Sequence, residues 1–121
     1  MDDMLLEQLE DMGAEAEKTV KRLMGDRALY IQYLMRLPED PNLPALKSAV
    51  EKRDSAAAMH AVHTLKGVAL NLGLLPLSDV CMDMLLDFRE GNPDKAFDQM
   101  DTVESVFNEW VGIIREATKS N

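Results

Sequence analysis

Cysteine is almost absent. The single thiol, Cys81, has no partner for an internal disulfide, so the chain is expected in a reducing compartment, the cytoplasm. No apolar run approaches the ~20 residues that cross a bilayer. The opening MDDMLLEQLED has neither the basic start nor the apolar stretch of a secretion signal. Aromatics are few, with one Trp, two Tyr and three Phe, and no run alternates β-branched and polar residues between hairpin turns. That leaves no candidate strand. Basic residues are outnumbered 13 to 22, for a formal charge of -9. Nucleic acid, which demands clustered Lys and Arg, is excluded as a partner. Neither a P-loop nor a dinucleotide-binding glycine pattern is present, and no Cys or His spacing suits a metal. The expectation is a chain with no cofactor, no metal and no membrane contact, and not an ATP-using enzyme.

What is there suits one globular domain spanning all 121 residues, 46% hydrophobic and 29% charged. Nine Met and abundant Leu favour helices packed on helices. Helical spacing predicts short segments over 4–12, 14–24 and 27–37. Three prolines between 38 and 44 break the pattern, and Pro44 opens a further segment to 52. Asp54 or Ser55 caps a central helix to Asn71, which Gly73 stops. Further helices are predicted over 77–90 and 94–118, the last with a 4-3 seam through Val103, Phe107, Trp110 and Ile114. The predicted fold is all-α: an antiparallel up-down four-helix bundle with an additional short N-terminal helix. The bundle is expected at about 54–118 and the N-terminal helices at about 4–52.

The central helix has two unlike faces. At about 100° per residue with His63 at zero, Ala58, Val62, Leu65, Ala69 and Leu72 average near 220°. His63 therefore points about 140° from the buried side and faces solvent. Lys66 falls near -60° and Gly67 near +40°, one turn on. The surface around His63 is an imidazole, an ammonium and a gap where a side chain would stand. From Ser55 to Ser78 the only formally charged residue is Lys66, although the chain holds 22 acids. A helix cleared of carboxylates suits a surface that holds phosphate or approaches an acidic site.

The run AVHTLKGVALNLGL, with His63, Thr64, Leu65, Lys66, Gly67 and then Gly73, resembles the signature of histidine-containing phosphotransfer (HPt) domains. The segment from Arg22 to Asp26 followed by Leu29 and Tyr30, and the positions Leu77, Cys81 and Arg89 to Gly91, extend the likeness over roughly residues 13–118. The resemblance implies a phosphorelay intermediate. His63 would take a phosphoryl group from the aspartyl phosphate of one receiver domain and pass it to the aspartate of another. Lys66 would be the charge partner of the phosphoryl oxygens, and Gly67 would give the receiver access. Implied partners are receiver domains of response regulators or hybrid sensor histidine kinases, which would bring the Mg²⁺. The carrier is expected to be a free-standing monomer that makes small, transient contacts of ~1,200 Å² or less.

The chemistry of the residues agrees. An imidazole, with a reference pKa of ~6.5, is mostly neutral and nucleophilic near pH 7. It can hold a phosphoryl group covalently and so split one transfer into two steps. Around it, Met59, His60, Thr64, Leu70, Asn71 and Leu74 are candidates for a partner-binding rim. Leu70 is bulkier than the small residue the family usually carries there. A His60–His63 pair at i,i+3 also offers two metal ligands, too few for a firm site. Two other readings stand beside the carrier. One is a docking module that binds a receiver or kinase without transferring phosphate. The other is a structural bundle that dimerises through its final seam.

Overall fold

The computed structural model describes residues 2–119. Among the described residues the secondary structure is wholly helical. In order these are α1 (Asp2–Asp11), α2 (Ala16–Arg22), α3 (Arg27–Leu34), a 3₁₀ turn (Leu37–Glu39), α4 (Asn42–Glu51), α5 (Ser55–Asn71), α6 (Leu75–Arg89), α7 (Pro93–Phe97) and α8 (Met100–Lys119). Two of these starts are capped by carboxylates. Asp26 accepts from the Leu29 amide at 3.0 Å and Asp54 from the Ala57 amide at 3.1 Å. Each satisfies one of the amides that a helix start leaves without an internal partner.

Helix α5 is the centre of the packing. It lies between α4 and α6, and α8 packs against both α6 and α4. Only three residues join α5 to α6, so the two run antiparallel as a helical hairpin. The Lys47 ammonium and Glu104 carboxylate tie α4 to α8 at 2.5 Å. Helix α4, grouped with the N-terminal segments in the sequence reading, thus packs directly on α5 and α8. Ahead of it stand three helices and a 3₁₀ turn, matching the three predicted segments rather than the single additional helix of the predicted bundle.

The core forms along the apolar stripes predicted for the central and final helices and along one side of α1. Leu5, Leu6 and Leu9 of α1, Ala58, Val62, Leu65 and Ala69 of α5, and Val103, Phe107, Trp110 and Ile114 of α8 are all buried. The seam of α8 is therefore used inside the chain. Burial pushes the Cys81 thiol up to about 12, which keeps it protonated and unreactive near neutral pH. The Tyr30 hydroxyl donates to the Leu72 carbonyl at 2.7 Å. Burial, helped by the Glu10 carboxylate, raises its pKa well above the ordinary phenol value. This bond fastens α3 to the end of α5.

Several boundaries differ from the sequence reading: the helix predicted over 27–37 ends at Leu34, the segment expected to open at Pro44 opens at Asn42, and three more stand out. The helix predicted over 14–24 ends at Arg22, and Met24 is 94% exposed at a φ of 60°. Helix α6 begins two residues early, because Pro76 fits the first turn, where its missing amide costs nothing. The final helix is interrupted at Asp98 and Gln99. There the Gln99 side-chain amide donates to the Asp87 carboxylate of α6, and the Lys95 ammonium lies 3.8 Å from it. Asp87 is 7% exposed. A buried carboxylate needs such partners, and Gln99, at the break, is one of them.

Candidate functional site

Helix α5 presents the residues singled out from the sequence as their spacing requires. His60 and His63 are exposed, Lys66 and Gly67 are half-buried, and Leu65 beneath them is fully buried. A Cβ placed on Gly67 would meet no atom within 4 Å. The gap beside His63 is open space, with no element of the fold leaning into it. No packing reason therefore exists for glycine here, where it costs the helix ~1 kcal/mol against alanine.

His63 shares a shallow depression with Ala56, Met59, His60, Leu85 and Arg89. This depression lies in the groove between α5 and α6. No acid lines it, so the carboxylates kept off α5 in sequence are not restored by its neighbour. Arg89 is a residue the sequence reading did not place at the site. It was legible in principle. In a hairpin with a three-residue turn, positions equally far from the turn come level, and Arg89 comes level with about residue 57. It adds a cation from α6 to the depression that holds His63, while Lys66 lies one turn further along α5.

The rim is partly as expected. Leu70 is 44% exposed and Asn71 is exposed, while Met59 is half-buried beside the histidines. Thr64 is half-buried, and its hydroxyl donates to the His60 carbonyl at 3.0 Å, which fixes it to its own helix. Leu74 is not on the rim: it is fully buried. The cause is the way α5 ends. The Leu74 amide donates to Ala69 O at 2.9 Å and the Gly73 amide to Leu70 O at 3.1 Å. This is a Schellman motif, in which the residue after the left-handed glycine folds back as an apolar contact against the helix. Gly73 has a φ of 73°, as that motif needs. It also accepts from the Glu15 amide at 2.8 Å, so it is a contact between α5 and α2 as well as a helix stop.

Among the described residues no group of three His, Cys, Asp or Glu side chains is placed to hold a metal ion. None of their helices is long and apolar enough to cross a membrane.

The family model described as "Hpt domain" matches residues 3–116. A comparison with curated proteins finds no match. Among solved structures, the fold matches the crystal structure of histidine-containing phosphotransfer protein B (HptB) from Pseudomonas aeruginosa PAO1. The TM-score is 0.66 at 19% identity, covering 100% of this chain and 96% of that one. The chain belongs to the Hpt domain family, and its role is that of a histidine phosphotransfer protein in a phosphorelay.

Proposed function

We propose that His63 is the residue on which this member of the Hpt family carries phosphate between receiver domains. The observation that carries the reading is the outer face of α5. It offers an exposed imidazole beside a lysine and an unfilled glycine gap, on a surface without carboxylates, in a chain of net charge -9. One ring nitrogen of His63 attacks the phosphorus of a receiver's aspartyl phosphate. A P–N bond forms, the P–O bond to the aspartate breaks, and the aspartate leaves as a carboxylate. The proton on the other ring nitrogen stays in place. The reverse step, on a second receiver, returns the imidazole to its free state.

Lys66 and Arg89 are the cations available to the phosphoryl oxygens. Charge-assisted contacts of this kind are roughly twice as strong as neutral ones. Gly67 leaves room for the receiver's acidic pocket to reach the phosphorus, and Met59, His60, Leu70 and Asn71 form the surrounding contact surface. Phosphoryl transfer is mostly positioning and charge neutralisation. The Mg²⁺ that this demands comes with the receiver, so this chain supplies half of a transient active site. Helices α4, α5, α6 and α8 act as the four-helix bundle that holds the face rigid. The carrier works as a monomer in the cytoplasm, as its lone, buried cysteine and internally packed α8 seam suggest.

The test is a relay in two steps. A receiver domain phosphorylated with acetyl phosphate and Mg²⁺ is mixed with this chain, which is then repurified and mixed with a second receiver. The expected result is acid-labile, base-stable phosphate on this chain that moves on to the second receiver. Binding of receivers without any label would instead establish the docking module.

A further inference from the structure

The cations of this acidic chain are not all engaged in the fold. Lys18, Arg27, Lys47, Arg53 and Lys95 each pair with a carboxylate of the chain. Among the residues whose side chains are described, seven other cations form no such ion pair within 4 Å, Arg22, Arg36, Lys66 and Arg89 among them. Lys66 lies one turn from His63 on α5, and Arg89 lines the same depression as His63. Arg22 and Arg36 lie elsewhere, lining a cleft of about 480 Å³ between α2, the turn after α3 and the last turns of α5.

Leu23, Leu37 and Val68 give this cleft apolar walls. Both guanidiniums are oriented without being neutralised. Arg22 Nη2 donates to Thr19 Oγ1 at 3.1 Å, and Arg36 lies over the Tyr33 ring at 5.3 Å. Asp40 is the single acid in the lining. Its Oδ1 is already taken by the Asn42 backbone amide and side-chain amide, at 2.8 Å each, at the start of α4. The cleft thus holds two positive groups to one negative in a chain of net charge -9.

The cleft is continuous with the His63 face. Gly67, Asn71 and Val68 follow one another round α5 from His63 at about +40°, +80° and +140°. Asn71 stands eight residues from His63, about 12 Å along the helix. A partner covering ~600–800 Å² of this chain spans a patch of roughly 14–16 Å radius. A receiver seated on His63 therefore reaches the edge of the cleft at Asn71.

We propose that this cleft is a second contact point for the receiver that exchanges phosphate with His63. It takes an acidic side chain of the receiver flanked by an apolar one, and Arg22 and Arg36 thereby select which receivers dock. The proposal rests on the carrier reading of His63. Charge complementarity outside the reacting centre acts on encounter and specificity rather than on chemistry, which separates this pair from Lys66.

The experiment uses receiver domains from the source organism, each phosphorylated with acetyl phosphate and Mg²⁺. Transfer rates are measured against receiver concentration for wild type, for Arg22→Glu with Arg36→Glu, and for Arg22→Lys with Arg36→Lys. In the glutamate pair the half-saturating receiver concentration rises tenfold or more, while the maximal rate stays within twofold. The lysine pair stays within threefold of wild type. Arg36→Glu alone, whose guanidinium packs on a ring at the surface, carries the same test if the double variant melts early. An unchanged half-saturating concentration, or a fall in the maximal rate alone, overturns the docking cleft and leaves the carrier reading intact. Failure of every receiver to label the wild type overturns both.

Discussion

Helices α5 and α8 bury their inner faces equally well but treat their outer faces differently. On α8, Val103, Phe107, Trp110 and Ile114 are buried, and the exposed side carries Asp101, Glu109, Arg115 and Glu116. On α5, Ala58, Val62, Leu65 and Ala69 are buried, and the outer side carries His60, His63, Lys66, Gly67 and Leu70 with no acid at all. Packing demands only the inner stripe. The outer face of α8 is what a soluble helix ordinarily shows. That of α5 holds a glycine that weakens the helix and a leucine that water does not favour. What packing leaves unexplained on α5 is therefore the functional signal.

This comparison can be broken by substitution. Trp110→Ala, on the face that packs, is expected to cost about 3–5 kcal/mol of stability, read as a fall in the urea midpoint. The surviving folded protein keeps its ability to accept phosphate. Gly67→Leu, on the face that does not pack, works the other way. Transfer from a phosphorylated receiver is expected to fall about a hundredfold, equivalent to about 2.7 kcal/mol. The same variant gains up to about 1 kcal/mol of helix stability. Unimpaired transfer in that variant would show that the open space is not a point of access. Lys66→Ala is expected to slow transfer about tenfold, equivalent to about 1.4 kcal/mol. Its melting temperature stays within the small range of surface substitutions. An unchanged rate and phosphohistidine lifetime would reduce Lys66 to a solvated charge.

A smaller effect sharpens the same distinction at two helix ends. Among the described residues, Met24 and Arg53 are the non-glycine residues with positive φ, at 60° and 52°. Arg53 is compensated, since it pairs with Asp94 at 2.7 Å and lies over the Phe97 ring at 4.9 Å. Met24 is 94% exposed, and nothing in the fold explains a bulky side chain there. Met24→Gly is expected to raise stability by up to about 1 kcal/mol. Arg53→Gly is expected to gain nothing, because it gives up both contacts. Thermal melts of the two variants, compared with wild type, check this.

Legibility in the sequence followed periodicity. The whole of α5 was readable, because Asp54 and Gly73 mark its ends and its apolar stripe is unbroken. The placement of His63, Lys66 and Gly67 followed from that helix alone. Features set by contacts distant in sequence were not readable. The contact of Gln99 with the buried Asp87 carboxylate joins two different helices. Leu74 looked like a rim residue because its burial is decided by the left-handed turn at Gly73, not by helical phase. Arg89 reaches the site only through the α5–α6 hairpin. The cleft beside Arg22 and Arg36 joins three segments, the nearer two about 10 to 20 residues apart and the third about 30 to 50 residues further on, and left no local pattern to find.

The most direct measurement of the central claim is phosphate acceptance by His63→Gln and His60→Gln alongside wild type, with a melting curve for each. The donor is a receiver phosphorylated with acetyl phosphate and Mg²⁺. The expected result is label on wild type and His60→Gln, none on His63→Gln, and three coincident melting curves, because the exposed imidazole contributes nothing to the core. Label persisting on His63→Gln would contradict the assignment of the carrier residue. A loss of stability matching its loss of label would contradict the separation of chemistry from packing on α5.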